Sequence, residues 1–431
     1  MNLTIGTTVY VVPALIASEV GRAALLSYMA CAILMALVVL CFAEAGSRVP
    51  GSGGGYAWAY RAFGPFVAFL LGWTLYLGGL VLGAASVLQL FFRGAGALLP
   101  WVDEPLPHAM LVVVILATVA HLNVRGVRRS ARMVEAVTLV KLTPLAVIIV
   151  TGAGGIVLSN LTIDRLPSLP QFGHSLFLVI FLFAGIENAL LASGEVRNPA
   201  RTIPRAVVVA LGAVTLLYLS THVVAQGVMG DALANGSPTP IADMAAIRIG
   251  GFGRALVLFA MIVAPLSYLL GEMLAAPRIL FAMAESGILP KAIAAVHPTW
   301  HTPAPAIWLH ATLVGAFVLT RSFEWLAVVS SVATLLAYLV CALATIRLRR
   351  MQVQDAGPPF ELPGGIAIPA AASATMVALL FAARASELLA IGLLLAVGTT
   401  LYAIGGIRRR RVVAAPLPRE LTSGMTDRAT E

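Results

Sequence analysis

The chain has 431 residues, of which 60% are apolar and only 11% are charged, and its mean hydropathy is +0.95. Soluble globular proteins carry about 25% charged residues, so this composition excludes a water-facing surface over most of the chain. The net charge of +9 does not indicate a nucleic-acid partner, because the basic residues form short clusters between apolar runs rather than one basic face.

Twelve apolar runs follow one another along the chain, and several exceed the roughly 18–20 residues that cross about 30 Å of hydrocarbon as a helix. They cover 2–18, 23–43, 65–91, 108–122, 133–151, 174–194, 206–228, 255–283, 305–320, 323–346, 366–383 and 388–406. The pattern predicts an all-α polytopic membrane protein of about 12 transmembrane helices. We expect a single transmembrane domain over 1–411, surrounded by membrane lipid, and a short cytoplasmic tail over 412–431.

The distribution of basic residues predicts the orientation, because loops rich in Lys and Arg stay in the cytoplasm. If the N-terminus is cytoplasmic and the spans alternate, 20 of the 28 Lys and Arg fall in cytoplasmic segments and seven in outer loops. The remaining one, Lys141, lies inside a span. We therefore expect both termini on the cytoplasmic side of a bacterial inner membrane.

The sequence carries no pattern typical of an enzyme or a metalloprotein. It lacks a Walker loop and an H-E-x-x-H motif, and its seven histidines are scattered without ligand spacing. Cys31, Cys41 and Cys341 fall in apolar runs, where small buried residues are expected. We predict neither catalytic residues nor a metal nor a cofactor.

The first and sixth spans each contain a helix breaker, Gly6 followed by Pro13 in the first and Gly185 in the sixth. Breaks at membrane depth free backbone N–H and C=O groups, which are tolerated only where protein or a wet cavity satisfies them. In transporters such half-helix ends hold substrate, N-terminal ends favouring a carboxylate and unwound carbonyls an ammonium. Glycine also permits close helix packing, and spacing alone does not choose between these interpretations.

Several motifs resemble one family in the same order along the chain. The stretch Ile5-Gly6-Thr7-Thr8-Val9-Tyr10 resembles the I-G-S-G-I-F signature of the amino acid–polyamine–organocation (APC) superfamily, and segments 42–65, 195–204 and 278–290 resemble its later motifs. The resemblance implies an inverted 5+5 repeat with broken helices 1 and 6, repeat one over 1–151 and repeat two over 174–350. Two peripheral helices, 11 and 12, over 366–406, and alternating access around a midplane site are also implied.

The same resemblance implies a substrate site built from Thr4, Ile5, Gly6, Thr7, Thr8, Phe181, Ala184, Gly185, Ile186 and Glu187. The substrate carboxylate should meet the amides around Gly6, Thr7 and Thr8. Its ammonium should meet carbonyls near Thr4, Phe181 and Ala184, with Phe181 as a gating aromatic above it. Glu187 either lines this pocket or stabilises the broken segment.

The chain departs from the family pattern in two ways. Thr8 replaces the second glycine of the signature, which adds a β-branched side chain where the backbone should come close. Only five residues precede Gly6, so we expect either a late start of the chain or an abbreviated inner half-helix.

Two charged residues lie deep inside predicted spans. Lys141 lies roughly 12 Å from the inner end of the fifth span and Glu272 roughly 16 Å from that of the eighth. Such groups are costly in a membrane and are functional by default, and the family includes members with a lysine here in place of a sodium ion. We therefore hypothesise a Lys141–Glu272 ion pair that exchanges a coupling proton.

The charged residues also have interpretations that involve no role in transport. The alternative interpretation of Lys141 is a lysine whose side chain extends to cytoplasmic water, and that of Glu272 is a carboxylate bound to unwound backbone. Glu19 and Glu44 lie near span ends, where solvated or capping roles are expected.

These expectations converge on a secondary active transporter of amino acids that works by proton-coupled symport or by exchange. Its partners would be a small-molecule substrate, an amino acid or amine, and a proton. One alternative is a polyamine or cationic amine transporter, and another is a non-transporting membrane scaffold or receptor with the same fold.

Overall fold

The structure is a computed structural model that describes residues 7–49, 54–126, 131–185, 199–355, 358–362 and 364–414. Over these ranges the regular structure is helical. The α-helices are α1 (Val12–Val20), α2 (Ala24–Arg48), α3 (Gly55–Phe63), α4 (Pro65–Thr74), α5 (Leu82–Gly96), α6 (Pro105–Val124), α7 (Ala131–Ala153), α8 (Leu169–Phe183), α9 (Pro199–Met229), α10 (Pro240–Glu285), α11 (Ala304–Thr320), α12 (Phe323–Arg350), α13 (Ala367–Leu380) and α14 (Ala385–Ala414).

Seven helical segments of the described chain are long and apolar enough to cross a membrane. They are Val12–Arg48, Pro65–Gly96, Pro105–Val124, Val208–Ala234, Pro240–Glu285, Phe323–Arg350 and Ala385–Gly406, and four shorter apolar helices accompany them. Each predicted span overlaps one of these segments, the first two sharing Val12–Arg48. The chain is a polytopic membrane protein, while the twelve-helix inverted repeat stays a prediction.

Two helices organise the interior. The long helix α10 packs against α5, α7 and α11, and also against a short 3-10 helix, Thr7–Tyr10, that precedes α1. The second of these central helices, α12, packs against α2, α5, α8 and α13. In addition, α1 packs on α8 and α9 packs on α2, so the segments that carry the two predicted helix breaks are neighbours.

A π-helix, Leu75–Val81, joins α4 to α5 within what the sequence predicts as one continuous span. Its Gly78 lies directly against α12, where an added Cβ would stand 2.2 Å from the Cβ of Ala333. Single π-turns inside long helices often occur at functional sites. The wide turn and the missing side chain together let this helix approach α12 closely.

Glu44 corrects the expectation of a solvated role near a span end, because its side chain is completely buried. Its Oε1 lies 2.9 Å from Arg48 Nε and 3.0 Å from Arg349 Nε, and its Oε2 accepts from the Leu362 amide at 3.2 Å. The second arginine comes from the end of α12. Burial of this carboxylate is compensated by two guanidinium groups and one backbone donor.

At the opposite end of α2, Arg22 connects the turn between α1 and α2 to a loop and to the 3-10 helix Gly230–Ala234. Its Nη1 donates to Asp164 at 2.7 Å and its Nε donates to Asp231 at 2.9 Å. Both aspartate side chains are more than half exposed, so solvent screens this bridge.

Candidate substrate and coupling site

Helix α8 ends inside the protein rather than at its surface. It begins with a capping box between Ser168 and Gln171, and every residue from Gly173 to Phe183 is buried. Ala184 then turns to an extended conformation (ψ 140°) and Gly185 adopts a φ of +98°, a region that favours glycine. The helix therefore stops in apolar surroundings, at the position where the sequence predicts a break.

The segment before α1 is also irregular. Thr7–Tyr10 form one turn of 3-10 helix, all four residues are buried, and Val11 N–H donates to the Thr8 carbonyl at 3.1 Å. The hydroxyl of Thr7 is buried without a hydrogen-bond partner among the described residues. Burying an unpaired hydroxyl costs free energy, which makes it a group that a bound ligand would satisfy.

Hydrogen bonds from two neighbouring helices hold α8. Ser27 on α2 lies 2.7 Å from Ser175, hydroxyl to hydroxyl, and Tyr218 on α9 donates to the Leu182 carbonyl at 3.0 Å. The second bond reaches the last turn of α8, where helix carbonyls lose their intrahelical partners. It fixes this end of the helix against α9.

Phe181 contacts the first residue of α12. Its ring lies edge-on to that of Phe323, with centroids 6.2 Å apart. The guanidinium of Arg93, from α5, lies 5.2 Å from the Phe323 ring centroid and is paired with Glu324. Phe181 is thus backed by an aromatic ring that a cation and a carboxylate hold in place.

The structure describes half of the predicted substrate-site residues. Thr7, Thr8, Phe181, Ala184 and Gly185 lie on the adjoining segments at the start of α1 and the end of α8. The other predicted site residues lie outside the described residues: Thr4, Ile5, Gly6, Ile186 and Glu187. Binding of substrate by this set stays a prediction.

The two predicted coupling residues have different outcomes. Lys141 lies within α7, but its side chain is outside the described part of the chain, so the Lys141–Glu272 ion pair stays a prediction. Glu272 is buried on α10, and its Oε2 lies 3.0 Å from Nε2 of His310 on α11. Its Oε1 is buried and has no hydrogen-bond partner within the ranges that the structure describes.

A third residue extends this contact. Nδ1 of His310 lies 3.1 Å from the hydroxyl of Tyr76, in the π-helix, and both side chains are completely buried. The sequence reasoning singled out neither His310 nor Tyr76. A histidine inside an apolar span was the available signal, because ionisable groups at membrane depth are rare and costly.

Comparison with known proteins agrees with this architecture. The family model described as amino acid permease matches residues 1–401. The methylthioribose transporter of Bacillus subtilis is 28% identical over 93% of this chain and 90% of its own length, and the branched-chain amino acid permease BcaP of the same species is 26% identical over 85% and 82%. The vacuolar cationic amino acid transporter 4 of Arabidopsis thaliana is 29% identical over 81% of this chain and 61% of its own length. The chain therefore belongs to the amino acid permease family of the APC superfamily, a family of membrane transporters rather than enzymes.

Proposed function

We propose that this chain is a secondary active transporter of amino acids in the bacterial cytoplasmic membrane, working by proton-coupled symport or exchange. The observation that carries the proposal is the end of α8, where the helix stops after the buried Phe183 and the chain turns at Ala184 and Gly185, next to α1 and its irregular Thr7–Tyr10 turn. Both are places where the regular α-helix of an apolar segment begins or ends next to buried residues. Interruptions of this kind are tolerated where they bind a polar ligand or line a cavity.

The chemistry of helix ends suits a zwitterion. The C-terminal end of a helix carries partial negative charge and the N-terminal end partial positive charge. In the proposed site the ammonium meets carbonyls at the end of α8, near Phe181 and Ala184, and the carboxylate meets amides around Gly6, Thr7 and Thr8. Phe181 covers the substrate from the side of Phe323. Transport follows when this site binds in two conformations that open to opposite sides.

The proposed architecture is two inverted repeats of five spans, with α13 and α14 peripheral and both termini cytoplasmic. Two observations support it. The positions of the helices match the predicted spans, and the first helix of each proposed repeat carries an irregular or terminated segment. The clustering of basic residues supports the orientation.

A neutral amino acid is the favoured substrate class. The described side chains that contact one another at the end of α8, Phe181 and Phe323, are aromatic and apolar, and the nearby cation Arg93 is already paired with Glu324. A polyamine or cationic amino acid is the second candidate. It is supported by the name of the vacuolar relative and by Glu187, which lies outside the described residues.

Uptake by the purified full chain in proteoliposomes tests the proposal. The compounds tested are leucine, lysine, putrescine and methylthioribose, each carrying a label. Uptake of each compound is measured with and without an inward proton gradient, and in counterflow. We expect saturable leucine uptake that the gradient stimulates and a protonophore abolishes. Preferred uptake of lysine or putrescine would support the second candidate. A folded protein that moves none of these compounds would overturn transport of the proposed kind and favour a scaffold or receptor.

Two matched glycine substitutions test the role of the helix break. Gly185 and Gly250 both have positive φ values, +98° and +66°, so alanine strains the backbone at either position by about 1–3 kcal/mol. Gly250 lies at a bend near the start of α10, with no atom within 4 Å of an added Cβ. We expect Gly185→Ala to lose leucine transport and Gly250→Ala to keep it. Equal activities would contradict a substrate site at the break.

A further inference from the structure

Glu272, His310 and Tyr76 form a chain of hydrogen-bonding groups in the interior of the protein. The Glu272–His310 contact is 3.0 Å and the His310–Tyr76 contact is 3.1 Å. The three groups come from α10, α11 and the π-helix, and none is more than 4% exposed. We propose that Glu272 and His310 together bind the coupling proton and that Tyr76 orients His310, an inference that rests on the proposed function as a proton-coupled transporter.

With Glu272 ionised and His310 neutral, one arrangement of hydrogens satisfies both contacts. A tyrosine hydroxyl has one proton to give, and a neutral imidazole has one donor and one acceptor nitrogen. If Tyr76 donates to Nδ1, then Nε2 carries the hydrogen and donates to Oε2 of Glu272. The other carboxylate oxygen, Oε1, is then an acceptor without a partner among the described groups, and it is the atom where an incoming proton binds.

Charge burial drives the binding of that proton. With a neutral histidine and an ionised glutamate, the cluster carries one negative charge inside an apolar region, where an uncompensated charge is unfavourable. Adding one proton at Oε1 gives a neutral cluster of carboxylic acid and imidazole. The proton leaves when water or a cation reaches the cluster and stabilises the ionised form.

The helix that carries Glu272 also contacts the candidate substrate site. This helix, α10, packs against Thr7–Tyr10, the segment that precedes α1. A rearrangement of that segment during alternating access changes the packing on α10 and so the access of water to the cluster. Proton affinity and conformation are then linked, which is the thermodynamic requirement for coupling.

Other ionisable groups on the elements packed around α10 are placed differently. They include Tyr10 before α1, Arg93 on α5, His108 and His121 on α6, Arg132, Glu135 and Lys141 on α7, Tyr218 and His222 on α9 and Lys291 in the 3-10 helix after α10. Arg93 is paired with Glu324, His121 and Lys291 are exposed, His108 is half-buried near the start of α6, and Tyr10 is buried. On α10 itself, Tyr268 lies one turn before Glu272 and reaches towards Gly83. The side chain of Lys141 lies outside the described part of the chain, so the experiments must separate its approach to Oε1 from protonation.

Infrared difference spectroscopy of the purified full chain tests proton binding without any substrate. Spectra taken between acidic and alkaline pH should contain a protonated-carboxyl band that is lost in Glu272→Gln. In His310→Gln and Tyr76→Phe the band should remain and its titration midpoint should move. His222→Gln is the matched control, because His222 is a completely buried histidine on α9 and neither of its ring nitrogens is hydrogen-bonded in the described chain. The carboxyl band of this variant and its titration midpoint should equal those of the wild type.

Three spectroscopic outcomes would overturn the proposal. The first is a carboxyl band that persists in Glu272→Gln. The second is a midpoint that moves equally in His310→Gln and His222→Gln. The third is a midpoint that moves only when Lys141 is changed to Met, since Lys141 rather than His310 would then be the partner of Glu272. Tyr76→Phe keeps the ring and removes only the hydroxyl, so it remains informative if Glu272→Gln does not fold.

Transport measurements with leucine add the functional readout. In Glu272→Gln and His310→Gln we expect gradient-driven uptake to fall by about tenfold or more, within the range typical of coupling between two ligands. Counterflow, which needs no net proton movement, should change much less. If both variants keep full gradient-driven uptake, the proposal is wrong. If the wild type itself transports nothing while the infrared band behaves as expected, the proposed function fails and the proton site stands.

Discussion

The close approach of the π-helix to α12 makes a sharp prediction about Gly78. An alanine Cβ at this position would stand 2.2 Å from the Cβ of Ala333, whereas carbon atoms in favourable contact lie about 3.5–4.0 Å apart. The two helices must therefore separate by about 1.5 Å, or the π-turn must unwind. Overpacking of this kind typically costs about 1–3 kcal/mol, so we expect Gly78→Ala to lower the stability of the folded protein.

Thermal unfolding of the detergent-solubilised protein measures the effect, with two controls. Gly212 on α9 has no atom within 4 Å of an added Cβ, so Gly212→Ala should be neutral or stabilising, by up to about 1 kcal/mol. The double variant Gly78→Ala/Ala333→Gly transfers the methyl group from one helix to the other. The nearest remaining atom of residue 333 is then its Cα at 3.7 Å, an ordinary contact, although Leu394 Cδ1 lies at 3.5 Å.

The double variant should therefore recover most of the lost stability, giving a favourable interaction energy between the two sites. A Gly78→Ala protein that melts with the wild type would refute the close packing of these helices. So would a double variant that melts as early as the sum of its single changes, because the loss would then come from something other than the methyl–methyl clash.

Three further changes test other parts of the structure. Glu44→Gln leaves the partly buried Arg349 without this carboxylate and the buried Arg48 with only the exposed Glu361, so unfolding of the purified protein should require up to about 3–5 kcal/mol less free energy; a normal melting temperature would contradict the buried network. Arg22→Ala should destabilise much less, and its effect should shrink in high salt because its partners are exposed. Phe181→Leu keeps an apolar side chain but removes the edge-on contact with Phe323. We expect a higher half-saturation concentration for leucine uptake and little change in melting temperature. An unchanged half-saturation concentration would exclude Phe181 from the site.

The sequence predicted the helices well because hydrophobic length is a local property. Each apolar run long enough to span hydrocarbon overlaps a helix or a pair of consecutive helices, and the predicted burial of Cys31, Cys41 and Cys341 is confirmed. The end of α8 could also be predicted from the sequence, since Gly185 is a helix breaker inside an apolar run. Family membership followed from motifs that are contiguous in the chain and is confirmed by the family match.

The interactions that sequence reasoning missed depend on residues far apart in the chain. Tyr76 and His310 are separated by 234 positions, and nothing local to either predicts that they meet. Glu44 and Arg48 stand four apart on one helix face, a spacing that indicates a pair, but the burial of Glu44 depends on Arg349, which arrives from the end of α12. The π-helix likewise reads as ordinary α-helix in the sequence, because its wide turn is selected by packing against α12.

The π-helix has a consequence for how this part of the chain tolerates changes in length. A π-turn bonds each residue to the fifth along instead of the fourth, so Leu75–Val81 holds a spare residue compared with an α-helix of the same rise. Removing one residue there lets the segment close into a regular helix without turning α5 about its axis. A deletion within α5 instead rotates every residue beyond it by about 100°, the turn per residue of an α-helix, and moves its buried face away from α10. Between Pro65 and Gly96, this segment is therefore the one place where deleting a residue keeps both flanking helices in register. We expect such a deletion to displace Tyr76, which lies in the segment, and so to disturb its contact with His310.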